Sequence, residues 1–164
     1  MSNILANDVR LQYNKTFTNI RRVIEAFPQE KWFEPHGDEY YIPARIAYHL
    51  AEFVDNHVVG GFKDPDFIAK LPFGPWKDAT AATLPDQKSL LPYLAEVVDR
   101  AQKVLEALTD ESLAIPIEPE RTRMGASQMG VHLYMMRELC AHVGEMNKML
   151  IENGKDDIWV SREA

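Results

Sequence analysis

Cysteine is nearly absent from this 164-residue chain: Cys140 has no second cysteine, so no intramolecular disulfide can form and no CxxC pair can hold zinc through thiolates. That composition fits a reducing cytoplasm. Long hydrophobic runs are missing as well. No window approaches the roughly 18 apolar residues of a membrane helix, and Met1 to Asp8 lacks the basic stretch and apolar block of a secretory signal. Basic residues nowhere form a run of five, and 18 Lys+Arg against 25 Asp+Glu give a net charge of -7. A phosphate-tracking surface is therefore disfavoured, and the expected partner is a small molecule or a protein, with no nucleic acid and no membrane. The motifs GxxxxGK[ST], GxGxxG and GxSxG do not occur, which removes the usual support for nucleotide binding and for a serine hydrolase.

What is present is an ordinary globular composition, 46% hydrophobic and 26% charged, in a length that suits one domain. Val9, Tyr13, Phe17, Ile20, Ile24 and Phe27 recur at steps of three or four, which predicts a helix over residues 7–27 with Asn7 as N-cap and Pro28 as its stop. A second helix starts at Pro43, where a missing amide hydrogen costs nothing, and ends at Gly60-Gly61. Residues 63–87 hold Pro65, Pro72, Pro75 and Pro85 with Phe67, Phe73 and Trp76 between them, and read as a long crossover.

Leu90, Leu94, Val97, Ala101 and Leu105 mark a third helix over 89–108, with Ser89 as N-cap and Pro92 still inside the turn of free amides. Residues 110–126 read as an irregular connection with a short extended piece at 113–117. The last helix spans 127–152, closed by Asn153-Gly154. Its apolar residues nearly encircle it, which predicts burial on most sides. The expected fold is all-α, a four-helix bundle with one long crossover.

The last helix also carries Met135, Glu138, His142, Glu145 and Met149 at alternating steps of three and four, so all five share a face. Glu138 and His142, at i and i+4, can converge on one divalent ion; the second helix offers His49 and His57, with Glu52 and Asn56 also available, and His49 beside its apolar face would complete a two-histidine, one-carboxylate site. The same spacing equally suits a hydrogen-bonded surface pair. His132 is expected to pack or to cap a loop, and His36 and His57, unless they serve the site, to be solvated or loop histidines. Cys140 lies about 160° round the helix from His142 and reads as a buried, inert thiol. Met135, Met136, Met146 and Met149 read as core, and Trp76 and Trp159 as possible pocket walls.

The segment Tyr41-Ile42-Pro43-Ala44-Arg45-Ile46-Ala47-Tyr48-His49-Leu50-Ala51-Glu52 resembles the second-helix signature of the DinB-like (DinB/YfiT) metalloenzyme superfamily. His142-Val143-Gly144-Glu145-Met146 is similar to that family's His-x-Gly-Gln-hydrophobic segment, and the likeness covers about residues 5–152. It implies helices in up-down-down-up order with the long connection between the second and third. It also implies a homodimer and a divalent metal, often nickel or zinc, held by three histidines. The first family histidine falls on His49 and the last on His142, while the middle one falls on Glu138. A carboxylate there keeps nickel, zinc, iron and manganese all in play.

Two functions follow as expectations. In the first, His49, Glu138 and His142 bind the metal, Glu145 or Glu52 serves as second-shell group or general base, and the reaction is a hydrolysis or an S-transfer using a low-molecular-weight thiol. In the second, the bundle has lost its metal and binds a small molecule or a second copy of itself.

Overall fold

The computed structural model describes residues 3–38, 40–117 and 123–159. Among these the fold is all-α, with no strand and only two isolated bridges. Six α-helices occur among the described residues: α1 (Ile4–Ala26), α2 (Pro43–Phe53), α3 (Phe67–Lys70), α4 (Gln87–Glu106), α5 (Asp110–Ala114) and α6 (Gln128–Glu152). None is long and apolar enough to cross a membrane.

Helix α1 buries the expected stripe of Val9, Tyr13, Phe17, Ile20 and Ile24 but begins at Ile4, one turn before the predicted start. The cap comes from elsewhere in the chain. Asp110 Oδ1 accepts from the free amide of Ala6 at 2.9 Å, and Asn3 Oδ1 accepts from the Asp110 amide at 3.3 Å. Asn7, expected as the cap, lies inside the helix and accepts instead from Arg10. Helix α2 does start at Pro43 and passes into a π-helical turn, Val54–Val59, that ends at Gly60 in the left-handed region, φ 99°.

Asp86, not Ser89, caps α4, its Oδ1 accepting from Ser89 N at 2.8 Å. Pro92 therefore lies beyond the turn of free amides, and the bond it forgoes is to the carbonyl of exposed Lys88, which water can reach. Residues 110–114 are helical, contrary to the extended reading, because Thr109 and Ser112 form a capping box with bonds of 3.0 and 2.9 Å. Pairing is confined to Pro116 with Ser127, supported by Gln128 N to Ile115 O at 2.9 Å. Beside it Gly125, φ 143°, lies so close to Gly130 that a Cβ would come within 2.6 Å of the Gly130 Cα. Pro119, assigned to the same connection, lies outside the described residues.

The long helices share one core. Helix α1 packs on α4 and α6, and α2 packs on the same two. Tyr13, Ile20, Leu50, Leu90, Leu105, Leu139, Met146 and Leu150 are fully buried there, and truncating one such leucine to alanine costs about 2–5 kcal/mol. Polar ties set the register. Arg10 bonds the carbonyls of Leu105 and Glu106 at the end of α4 and of Leu108 just beyond it, at 3.1–3.4 Å. Gln87 Nε2 reaches the carbonyls of Ile24 and Phe27. Buried Asp55 takes a two-pronged bond from Arg100, 2.9 and 3.1 Å, and a third from Tyr93 at 2.9 Å.

Helix α6 is not buried on most sides. It lays one face on α1, α2 and α5, and outside that face Leu133 is 59% and Ile151 48% exposed. Cys140 lies at the α1 edge of the packed face and is exposed, with Sγ 3.8 Å from Thr16 Oγ1, which corrects the buried-thiol expectation. Met135, Met146 and Met149 are core as predicted, while Met136 is half-buried.

His132 packs inward, with Nδ1 3.2 Å from the Tyr13 hydroxyl, and burial depresses its pKa to about 4. Above about pH 6.5 the ring is neutral in both the folded and the unfolded chain. As pH falls below that value the unfolded chain takes up a proton that the folded one refuses, so stability is lost between about 6.5 and 4. His132→Asn is expected to remove up to about 1.4 kcal/mol per pH unit from that slope. Urea midpoints of both proteins at pH 7, 6 and 5 measure this, and parallel slopes would refute it.

Candidate functional site

Helix α2 presents three stripes. Ile46, Leu50 and Val54 face the core. Arg45, Tyr48 and Glu52 face the crossover and bond its backbone. Arg45 donates to the carbonyls of Trp76, Lys77 and Ala79 at 3.3, 3.4 and 2.7 Å, and the Tyr48 hydroxyl donates to the Gly74 carbonyl at 2.5 Å. Glu52 Oε2 accepts from the Trp76 amide at 3.0 Å. All these partners are main-chain groups, so the clasp holds the loop whatever its side chains are.

The third stripe is His49, Phe53 and His57, whose rings follow one another at 5.8 and 4.5 Å between centroids. The clasp lays Trp76 over this stripe, with its ring centroid 4.1 Å from that of His49. Tyr40, from the loop before α2, closes on the edge of Trp76 at 6.0 Å.

Helix α6 approaches from the other side. The His142 ring stands nearly perpendicular to that of His49, 86° with centroids 4.9 Å apart. His142 Nδ1 is 2.8 Å from Glu145 Oε2, and the imidazole is only 16% exposed. Glu138, one turn earlier, is 30% exposed and its Oε1 lies 3.0 Å from Arg137 Nη2. Among the described residues no three or more His, Cys, Asp or Glu side chains are arranged to hold a metal ion. The structure thus unites His49 with His142 and Glu145, and directs Glu138 toward Arg137.

A cavity of about 340 Å³ opens beside the pair, lined by His49, Glu52, Phe53, Asn56, His57, Ile68, Pro75, Trp76, Lys77, Tyr134 and Glu138. Burial, reinforced by the neighbouring His142, His57 and Lys77, lowers the His49 pKa to about 3, so the ring is neutral at neutral pH. Its Nδ1 is buried and has no hydrogen-bond partner. Burial raises the pKa of Glu52, partly offset by the Trp76 amide that it binds.

Of the expected site residues, His49, Glu138 and Glu52 line the cavity, and His142 is not in its lining but has its ring centroid 4.9 Å from that of His49. Trp76 is a pocket wall as anticipated. His57 is not a solvated loop histidine but part of the lining, because the π-helical turn carries it onto the His49 stripe. Asn56, also offered by the second helix, lines the cavity too, and so do Lys77 and Tyr134, which were not anticipated there; the His49, Phe53, His57 spacing of four and four was a further signal for this wall. Comparison of the chain with protein-family models, curated proteins and solved structures returns no match.

Removing the Arg45 head group while keeping its apolar stem should free the crossover. Arg45→Met is expected to lower stability by about 1–3 kcal/mol and to speed protease cleavage within residues 74–79 with the helical circular dichroism unchanged. Unaltered cleavage there, mapped by mass spectrometry, would contradict the clasp.

Proposed function

We propose that the chain is a DinB-like four-helix bundle in up-down-down-up order that acts as a divalent-metal-dependent hydrolase or thiol-dependent S-transferase on a small molecule in the cytoplasm, as a homodimer. The topology draws support from the side-chain pairings. Asn14 meets Gln102 and Ile24 meets Gln87, so α1 and α4 run oppositely, while Tyr48 meets Tyr93 and Asp55 meets Arg100, so α2 and α4 run together. Tyr13 meets His132 and Thr16 meets Cys140, which makes α6 parallel to α1.

The observation that carries the functional reading is the perpendicular His49–His142 pair with Glu145 on one of its rings. The donor set fits a borderline divalent cation. His49 is held neutral, as a ligand must be, and its buried Nδ1 lacks a partner. Glu145 engages His142 Nδ1 and leaves Nε2 free, the carboxylate–histidine arrangement that orients a metal ligand. His49 and His142 would hold the metal, and Glu138 would complete the set on leaving Arg137. When bound, a divalent ion supplies Lewis acidity and lowers the pKa of a water or thiol. Glu52, committed to the Trp76 amide, acts on this reading as a positioning residue, and Glu145 is the carboxylate in hydrogen-bond contact with the histidine pair.

A non-catalytic small-molecule-binding bundle is the second reading, and the Glu138–Arg137 pairing favours it. Metal content of protein purified without added metal separates the two. The enzyme reading expects about one equivalent, lost in His49→Ala and in His142→Ala, with affinity weakened about 10- to 100-fold in Glu145→Gln. It also expects chelation to lower Tm, because a ligand at a hundred times its Kd stabilises by about 2.7 kcal/mol. No metal and no chelator effect would leave the binding bundle.

A further inference from the structure

The lining of the cavity beside His49 is unevenly committed. Glu138 is paired with Arg137, and Glu52 holds the Trp76 amide. Lys77 makes no ion pair among the described residues; its ammonium lies 5.7 Å from the centroid of the Trp76 ring, on the exposed side of the same wall. Its charge is near enough to disfavour protonation of His49 and to favour the ionised form of Glu52, without an ion pair to either. The rest of the wall combines the flat or apolar side chains Trp76, Phe53, Tyr134, Pro75 and Ile68, the last 52% exposed, with polar His57 and Asn56 and the neutral ring of His49. Aromatic walls bind a planar apolar body with little loss of side-chain freedom, and the one lining cation without an ion pair can meet an anionic head group.

We propose that this cavity takes a small aromatic carboxylate, its ring lying between Trp76 and the Phe53–Tyr134 side and its carboxylate on Lys77. This names the substrate class of the proposed enzyme and rests on that reading for the site's purpose, but the binding itself needs no metal. The volume of about 340 Å³ suits a single-ring acid. The clasp from α2 makes the selection possible, because it holds the backbone of both Trp76 and Lys77 in place.

The test is titration of the full chain, chelator-treated and metal-loaded, with 3-phenylpropionate and with the neutral 3-phenylpropionamide, followed by calorimetry. The chelator-treated wild type is expected to prefer the acid by roughly fivefold, the effect of one partly exposed ion pair. The preference is expected to vanish in Lys77→Gln and to persist in His142→Ala. Equal affinities for acid and amide, no binding of either probe, or a preference that survives Lys77→Gln would overturn the proposal. A preference seen only in metal-loaded protein and lost in His142→Ala would also overturn it while supporting the metal reading. The two ideas therefore fail separately. Lys77 is exposed and its head group makes no ion pair to another element, so Lys77→Gln can be compared with the wild type at matched circular dichroism.

Discussion

Three side chains on one stripe of α2, Arg45, Tyr48 and Glu52, bond five main-chain groups of residues 74–79, and the candidate site depends on that clasp. A proline-rich crossover has few backbone bonds of its own, so its conformation must be imposed by a neighbour. Here the neighbour is the helix that also carries His49. The same rigid body thus sets both the reactive-looking imidazole and the indole that covers it. The cavity beside His49 is bounded on one side by the helix and on the other by the loop the helix holds.

Electrostatics within the site follow from the same geometry. Trp76 over His49 removes water from the ring, and desolvation disfavours the imidazolium. His142 keeps a carboxylate on Nδ1, so the two rings are set up differently although they nearly touch. One ring is neutral through burial; the other is oriented by a hydrogen bond. Glu52 belongs to this scheme as a structural carboxylate. An acid half-committed to an amide is poorly placed to shuttle protons and well placed to keep an indole still.

The outer face of α6 shows how far apolar content alone misleads. Leu133 and Ile151 sit among the residues that made the helix look buried all round, yet only one face has neighbours. Periodicity reports which residues prefer burial, not how many helices arrive to bury them. The caps tell a similar story. Asp110 caps α1 from 104 residues away, a pairing that no local pattern can reveal.

Read by itself, the sequence determined the four long helices and the core stripes of α1 and α4. It also determined the stop at Gly60, the crossover and the face shared by Glu138, His142 and Glu145, because helical period and backbone chemistry are local. The inward reach of His49 followed from its place beside an apolar stripe. Tertiary structure alone decided which of these groups meet. It set His49 against His142, turned Glu138 to Arg137, assigned Glu52 to the Trp76 amide and brought His57 and Lys77 to the cavity. Spacing along a helix fixes the direction in which a side chain leaves, whereas the partner it finds depends on elements that are close only in the folded chain.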